Sequence, residues 1–117
     1  LDVNNAFLNG NLEEEIFMQI PQGYNHNIIN TTPTPLVCKL NKSIYGLKQA
    51  SRSWFTKFST TLLSHDYKQS KFDYSLLTKG TKFKFIVVLV YVDDIVLASP
   101  SNDVISQTKT LLQKHFR

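Results

Sequence analysis

KFKFIVVLVYVDDIVLAS, residues 82–99, decides how the chain is built. Val, Ile, Phe and Tyr crowd both sides of two adjacent aspartates, a composition that suits pleated strands and leaves little room for a helix. The pattern predicts strand, tight turn at Asp93-Asp94, strand. Two carboxylates then stand at a hairpin tip, where their charges repel and call for a cation or a basic side chain against them. A divalent metal is the simplest partner. Asp is also a good turn former in its own right, so a solvated Asp-Asp tip accounts for the same letters without any site.

Outward from the hairpin, residues 67–78 read as a second strand, Lys79-Gly80-Thr81 as the turn that reverses it, and residues 83–92 as the central strand. Residues 1–3 read as the end of a strand that delivers Asp2 at its edge. Residues 4–10 turn away, with Ala6, Phe7 and Leu8 packing beneath. Asn9-Gly10-Asn11 is a turn signal, and residues 13–20 pass from three solvated glutamates, Glu13, Glu14 and Glu15, into the alternation Ile16, Met18, Ile20, ended by Pro21. Residues 36–40 make a short strand, and residues 41–47 a connection in which Gly46 lets the backbone approach a ligand closely. Residues 49–65 form an amphipathic helix: Ala50, Trp54, Phe58 and Leu62 recur every four positions, with Phe55 beside them. After Ser99-Pro100, Ser101 or Asn102 can cap a closing helix whose Val104, Thr108, Leu111, Leu112 and His115 repeat at helical spacing. The fold class is α+β: a split β-α-β sheet with two packed helices, incomplete at both ends.

At 117 residues, 42% of them hydrophobic and 12% aromatic, the chain has one domain's worth of sequence and a modest core. Cys38 is the only cysteine, which excludes an intrachain disulfide, points to a reducing compartment, and reads as a small buried side chain. The longest apolar run, residues 85–92, is far short of the ~20 residues of a membrane span, so no membrane partner is expected. His26 has no second His or Cys at ligand spacing, and His65 and His115 fall near helix ends, which argues against zinc. Charge is unevenly placed. Residues 1–38 carry Asp2 and the three glutamates with no Lys or Arg, whereas residues 39–84 hold ten basic side chains against Asp66 and Asp73, a net of eight positive charges. A basic region beside a carboxylate cluster suits a protein that grips a phosphate backbone, and ordinary surface lysines give the same count.

Three blocks taken together carry a resemblance: Asp2-Val3-Asn4-Asn5-Ala6-Phe7; then Ser43-Ile44-Tyr45-Gly46-Leu47-Lys48-Gln49-Ala50-Ser51-Arg52-Ser53-Trp54-Phe55; then Tyr91-Val92-Asp93-Asp94. In order and spacing, over essentially all 117 residues, the chain resembles the reverse transcriptase of copia-type LTR retrotransposons. The resemblance implies a partial polymerase domain over residues 1–117, palm with part of the fingers, in which residues 21–36 form a variable surface loop. It implies RNA-directed DNA synthesis by nucleotidyl transfer to a primer 3′-hydroxyl. Asp2, Asp93 and Asp94 would be the catalytic carboxylates and, with the carbonyl of Val3, the ligands of two Mg²⁺ ions, with Mn²⁺ as a substitute; such pairs sit about 3.5–4 Å apart. Phe7 would lie under the sugar and reject a ribose 2′-hydroxyl. Tyr45, Gly46, Lys48, Arg52 and Tyr91 would touch the nascent pair, the nucleotide or the template-primer. Many relatives have Pro where this chain has Ser51, a harmless exchange at an early helical position.

The partners implied are an RNA template, a DNA primer, deoxynucleoside triphosphates and the rest of a Pol polyprotein, with its integrase and RNase H. The place implied is the cytoplasm, in virus-like particles, with later delivery of product to the nucleus. The sequence opens one residue before Asp2 and closes inside a helical pattern, so an internal fragment is expected, inactive in isolation. A non-catalytic relic of such an element, an RNA-binding split β-α-β module and a two-metal nuclease are the alternative readings. The RNA-binding module gives no reason for three aspartates, and the Tyr-Val-Asp-Asp and Tyr-Gly-Leu-Lys blocks resemble polymerases rather than nucleases.

Overall fold

The structure, a computed structural model, describes residues 1–24 and 36–116. The loop expected at 21–36 and His26 fall largely or wholly outside them. Ala6–Asn9 form a 3-10 turn, β1 (Phe17–Gln19) pairs antiparallel with β2 (Val37–Lys39), and α1 spans Ala50–Leu63. Next come β3 (Lys68–Gln69), β4 (Leu76–Lys79), a 3-10 turn at Lys82–Lys84, β5 (Ile86–Tyr91), β6 (Asp94–Ala98) and α2 (Asn102–His115). Strands β3-β4-β5-β6 form one antiparallel sheet in sequence order. The α+β expectation holds, with two helices and two sheets.

Alternation builds the core. Along β5, Ile86, Val88 and Val90 are buried while Leu89 and Tyr91 face outward; the register sets Val88 between Leu77 and Leu97 and Val90 against Ile95. Trp54, Phe58 and Leu62, one helical turn apart on α1, join this face, as do Thr108 and Leu112 of α2 and Phe116 just beyond it. Phe116 packs edge-on against Trp54 at 5.1 Å and tilted against Phe58 at 5.6 Å, so three rings weld the two helices. Removing such a ring, as in Phe58→Ala, costs roughly 3–5 kcal/mol. Tyr67 and Thr108 satisfy each other's buried hydroxyls at 2.9 Å. Among the described residues no helix is long and apolar enough to cross a membrane.

Several expectations are corrected. The hairpin turn is Val92-Asp93, not Asp93-Asp94, because Asp94 already pairs with Tyr91 as the first residue of β6. The strand read over 67–78 is broken in two. Ser70 Oγ accepts the N–H groups of Phe72 and Asp73, and Asp73 Oδ1 accepts the N–H and the hydroxyl of Ser75, so side chains displace the ladder. The central strand starts at Ile86, since the Lys84 N–H closes a 3-10 turn onto Thr81. Leu8 is exposed: three residues per turn send Ala6 and Phe7 inward and Leu8 out. His115 is exposed and Phe116 takes the inner place. Cys38 is only half-buried, in a two-stranded ribbon.

Candidate active site

The Val92-Asp93 turn is unusual in its occupant. Val92 has φ 57, the sign that a II′-type hairpin turn requires at its first central residue and that Gly normally supplies. A β-branched residue held there costs on the order of 1–3 kcal/mol and persists only where its surroundings over-determine it. They do so here: the Trp54 indole N–H donates to the Val92 carbonyl at 2.5 Å, and the Val3 N–H donates to the Asp93 carbonyl at 3.1 Å.

The first residues of the chain complete this edge. The Leu1 amino group donates to the Ile95 carbonyl and the Ile95 N–H returns a bond to the Leu1 carbonyl, joining residues 94 positions apart. That makes Leu1 and Ile95 a hydrogen-bonded antiparallel pair, and the next pair along, Asp2 with Asp94, a non-hydrogen-bonded one. Cα atoms in such pairs lie about 4.5 Å apart with side chains on one face. The strand-edge reading of Asp2 is therefore correct, and nothing but tertiary pairing brings its carboxylate to Asp94.

Tyr45 stands over the same corner. Its hydroxyl donates to Asp93 Oδ2 at 3.2 Å, and its ring lies 4.2 Å from the buried ring of Phe7. Desolvation first, then the charge of Asp93 and the bond to it, and then the charge of Asp2 hold the phenol above its ordinary value. The phenol thus stays a donor through neutral pH. Gly46, next in the chain, has φ +97 with nothing within 4 Å of where a Cβ would stand, so the backbone here is open to a neighbour.

The sequence profile of the family described as reverse transcriptase (RNA-dependent DNA polymerase) matches residues 1–117. The chain belongs to the reverse transcriptase family. It is 41% identical over 117 residues to the retrovirus-related Pol polyprotein from transposon TNT 1-94 of Nicotiana tabacum, covering 99% of this chain and 8% of that protein. The corresponding polyprotein from transposon RE2 of Arabidopsis thaliana is 39% identical, with the same two shares. A transposon Ty5-1 protein of Saccharomyces cerevisiae is 32% identical over 99% of this chain and 36% of its own length. The chain thus spans about 8% of the first two relatives. No solved structure matches it. The resemblance to copia-type retrotransposon enzymes is borne out in family and in transposon setting.

In this reverse transcriptase chain the site residues read from sequence divide into two groups. Asp2, Val3, Asp93, Asp94, Tyr45 and Phe7 converge, with Tyr91 paired to Asp94 and 76% exposed beside them. Lys48 and Arg52 are exposed on the approach to α1 and its first turn and bond to none of the aspartates. Arg52 lines an open groove of about 670 Å³ with Glu13, Glu14 and Lys57, which contains none of the three aspartates, and also a smaller one of about 320 Å³ with Trp54, Val90 and Val92, beside the aspartate turn. Glu15 pairs with Lys39 on the exposed ribbon. Trp54, read from sequence only as core, reaches the turn as well; its buried N–H was the one signal that it needs a partner.

Among the described residues no three His, Cys, Asp or Glu side chains form a ready-made metal cage. The donor set nevertheless fits Mg²⁺: carboxylate oxygens are hard ligands, and this ion usually takes one or two of them and fills its shell with water and substrate phosphate. Among the described residues the one buried side-chain polar atom without a partner, Ser43 Oγ, belongs to the connection before Tyr45 and not to the aspartates.

Proposed function

We propose that this chain forms the palm, with part of the fingers, of an RNA-directed DNA polymerase that works within a longer Pol polyprotein. The observation that carries the reading is the antiparallel pairing of Asp2 with Asp94 beside the pinned Asp93 turn, which gathers carboxylates from opposite ends of the chain at one sheet corner. Family membership supports reading that corner as a polymerase site rather than a decorated turn.

In this reading Asp2 and Asp93, supported by Asp94 and the Val3 carbonyl, hold divalent cations. Two bound Mg²⁺ ions supply activation of a primer 3′-hydroxyl and charge neutralisation on the triphosphate and the departing pyrophosphate. The chain's own residues do the rest. Val3 and Trp54 fix the turn that carries Asp93. The Phe7 ring, buried beneath Tyr45, forms a floor that a deoxyribose clears and a ribose 2′-hydroxyl does not. Tyr45 and the open backbone at Gly46 border the nascent pair, while Lys48, Arg52 and the other basic side chains of residues 39–84 draw in the phosphates of an RNA template and DNA primer. Integrase and RNase H belong to the same polyprotein, and synthesis takes place in cytoplasmic particles.

The test is Asp93→Asn in the full polyprotein-derived polymerase. Asn keeps the shape and removes the charge, so DNA synthesis falls by about a thousandfold or more, while primer-template binding, which rests on Lys and Arg, keeps its affinity and its salt dependence. Synthesis within about tenfold of wild type on the same Mg²⁺ would return the hairpin to a solvated turn.

A further inference from the structure

We infer that Trp54 is a positioning residue for the reaction: its indole N–H locks the Val92-Asp93 turn in the strained form that aims Asp93 at the site. This rests on the polymerase reading above and extends it to a residue outside the aspartate corner.

The argument starts from Val92. A β-branched residue prefers negative φ, and rotation back to that side swings the Val92 carbonyl and re-aims Asp93 behind it. Three bonds oppose the rotation: Trp54 to the Val92 carbonyl, Val3 to the Asp93 carbonyl, and Tyr45 to the Asp93 carboxylate. They differ in stiffness. Tyr45 is 51% exposed, and the Val3 bond lies on a short edge segment. Trp54 is 1% exposed, with Phe58 at 5.5 Å and Phe116 at 5.1 Å fixing its plane. Its bond is the only one that also touches the strained residue itself, and it spans 38 positions from the core of α1. A buried indole that merely filled space would need an N–H partner anywhere; here the partner is the single carbonyl whose movement would misplace Asp93. The same helix begins just after Tyr45, Gly46 and Lys48, so this bond ties the aspartate turn to the element that follows them.

The experiment uses the full polymerase and three variants: Trp54→Phe, Val92→Gly and the double variant. Trp54→Phe lowers kcat about ten- to a hundredfold, the range set by release of one strained residue, with KM for dNTP within about threefold. Gly at position 92 takes positive φ without a pin, so the double variant lies within about threefold of Val92→Gly alone. An equal loss from Trp54→Phe in both backgrounds makes Trp54 a plain core residue and overturns the inference. Benzothienylalanine at position 54, which keeps the bicyclic shape and removes only the N–H, repeats the test with the core volume unchanged. Amide hydrogen exchange provides a readout besides activity: removal of the N–H speeds exchange at residues 91–95 and leaves residues 58–63 as they were. Unchanged exchange at 91–95 refutes the inference whether or not the protein polymerises, whereas normal synthesis by Asp93→Asn refutes the metal-holding role proposed for Asp93 and leaves the pin itself to be judged by the exchange measurement.

Discussion

Two aspartate-bearing turns lie at the same end of the central sheet, since the Val90 N–H bonds to the Ser75 carbonyl, and they are held by opposite means. The turn at 70–75 is self-sufficient. Ser70 Oγ takes two N–H groups, and Asp73 takes the Ser75 N–H at 3.0 Å and its hydroxyl at 2.6 Å, all within residues 70–75. The turn at Val92-Asp93 has no such local support. Its bonds come from Val3, Tyr45 and Trp54, and its first residue is one that a free hairpin would reject. A turn chosen by its own side chains needs only solvent. A turn imposed by the rest of the fold carries strain, and strain of this kind gathers where geometry serves chemistry.

The sharpest way to break that contrast is to remove charge from each side. Asp2→Asn, at the far partner of the pinned corner, lowers DNA synthesis by about a thousandfold or more, like Asp93→Asn, because in the proposed site both carboxylates hold the same ions. Asp94→Asn retains a measurable trace, the role proposed for it being a supporting one. Single-turnover incorporation on Mg²⁺ measures all three, and an Asp2→Asn enzyme within tenfold of wild type would separate Asp2 from the site. A smaller effect is expected at Phe7, whose ring lies under Tyr45. Phe7→Val opens the floor and lowers the dNTP over rNTP ratio of kcat/KM by about 10–200-fold, the usual reach of one pocket contact. An unchanged ratio would leave Phe7 as core. Smaller again is Gly46→Ala. The space around Gly46 is open, so the cost is that of φ +97 alone, about 1–2 kcal/mol of stability, read as a lowered thermal midpoint.

The same contrast explains what could be read from the chain. The stripe Ala50, Trp54, Phe58, Leu62 fixed α1 because its period is local, and the apolar run around the aspartates fixed the hairpin because β-branched residues leave few other choices. The turn register was off by one for a physical reason: Asp is the better turn former, and only the bonds from Trp54 and Val3, invisible to local rules, put Val92 at φ 57. The break in the strand at 70–75 had its signal in Ser70 and Asp73, both residues that turn the backbone onto their own side chains. The aspartate corner was legible through motif resemblance. Period and propensity alone gave a tip with two acids, and the pairing of Asp2 with Asp94 is a matter of tertiary structure.

The smallest effect belongs to the self-sufficient turn. The Ser75 hydroxyl bond first, and then its N–H bond, depress the Asp73 carboxyl below its ordinary 3.8. A carboxyl lowered by folding adds stability above the unfolded value and loses it as pH falls through the folded one. The thermal midpoints of wild type and Asp73→Ala therefore differ at neutral pH and converge as pH drops below that of an ordinary Asp. Asp73 lies in the open, so salt narrows the gap at neutral pH as well. DNA synthesis stays within about twofold, as for most surface substitutions, because no bond joins this turn's side chains to the aspartate corner. If Asp73→Ala cut synthesis as deeply as Asp94→Asn, the two turns would be one functional unit and the division drawn between them would fail.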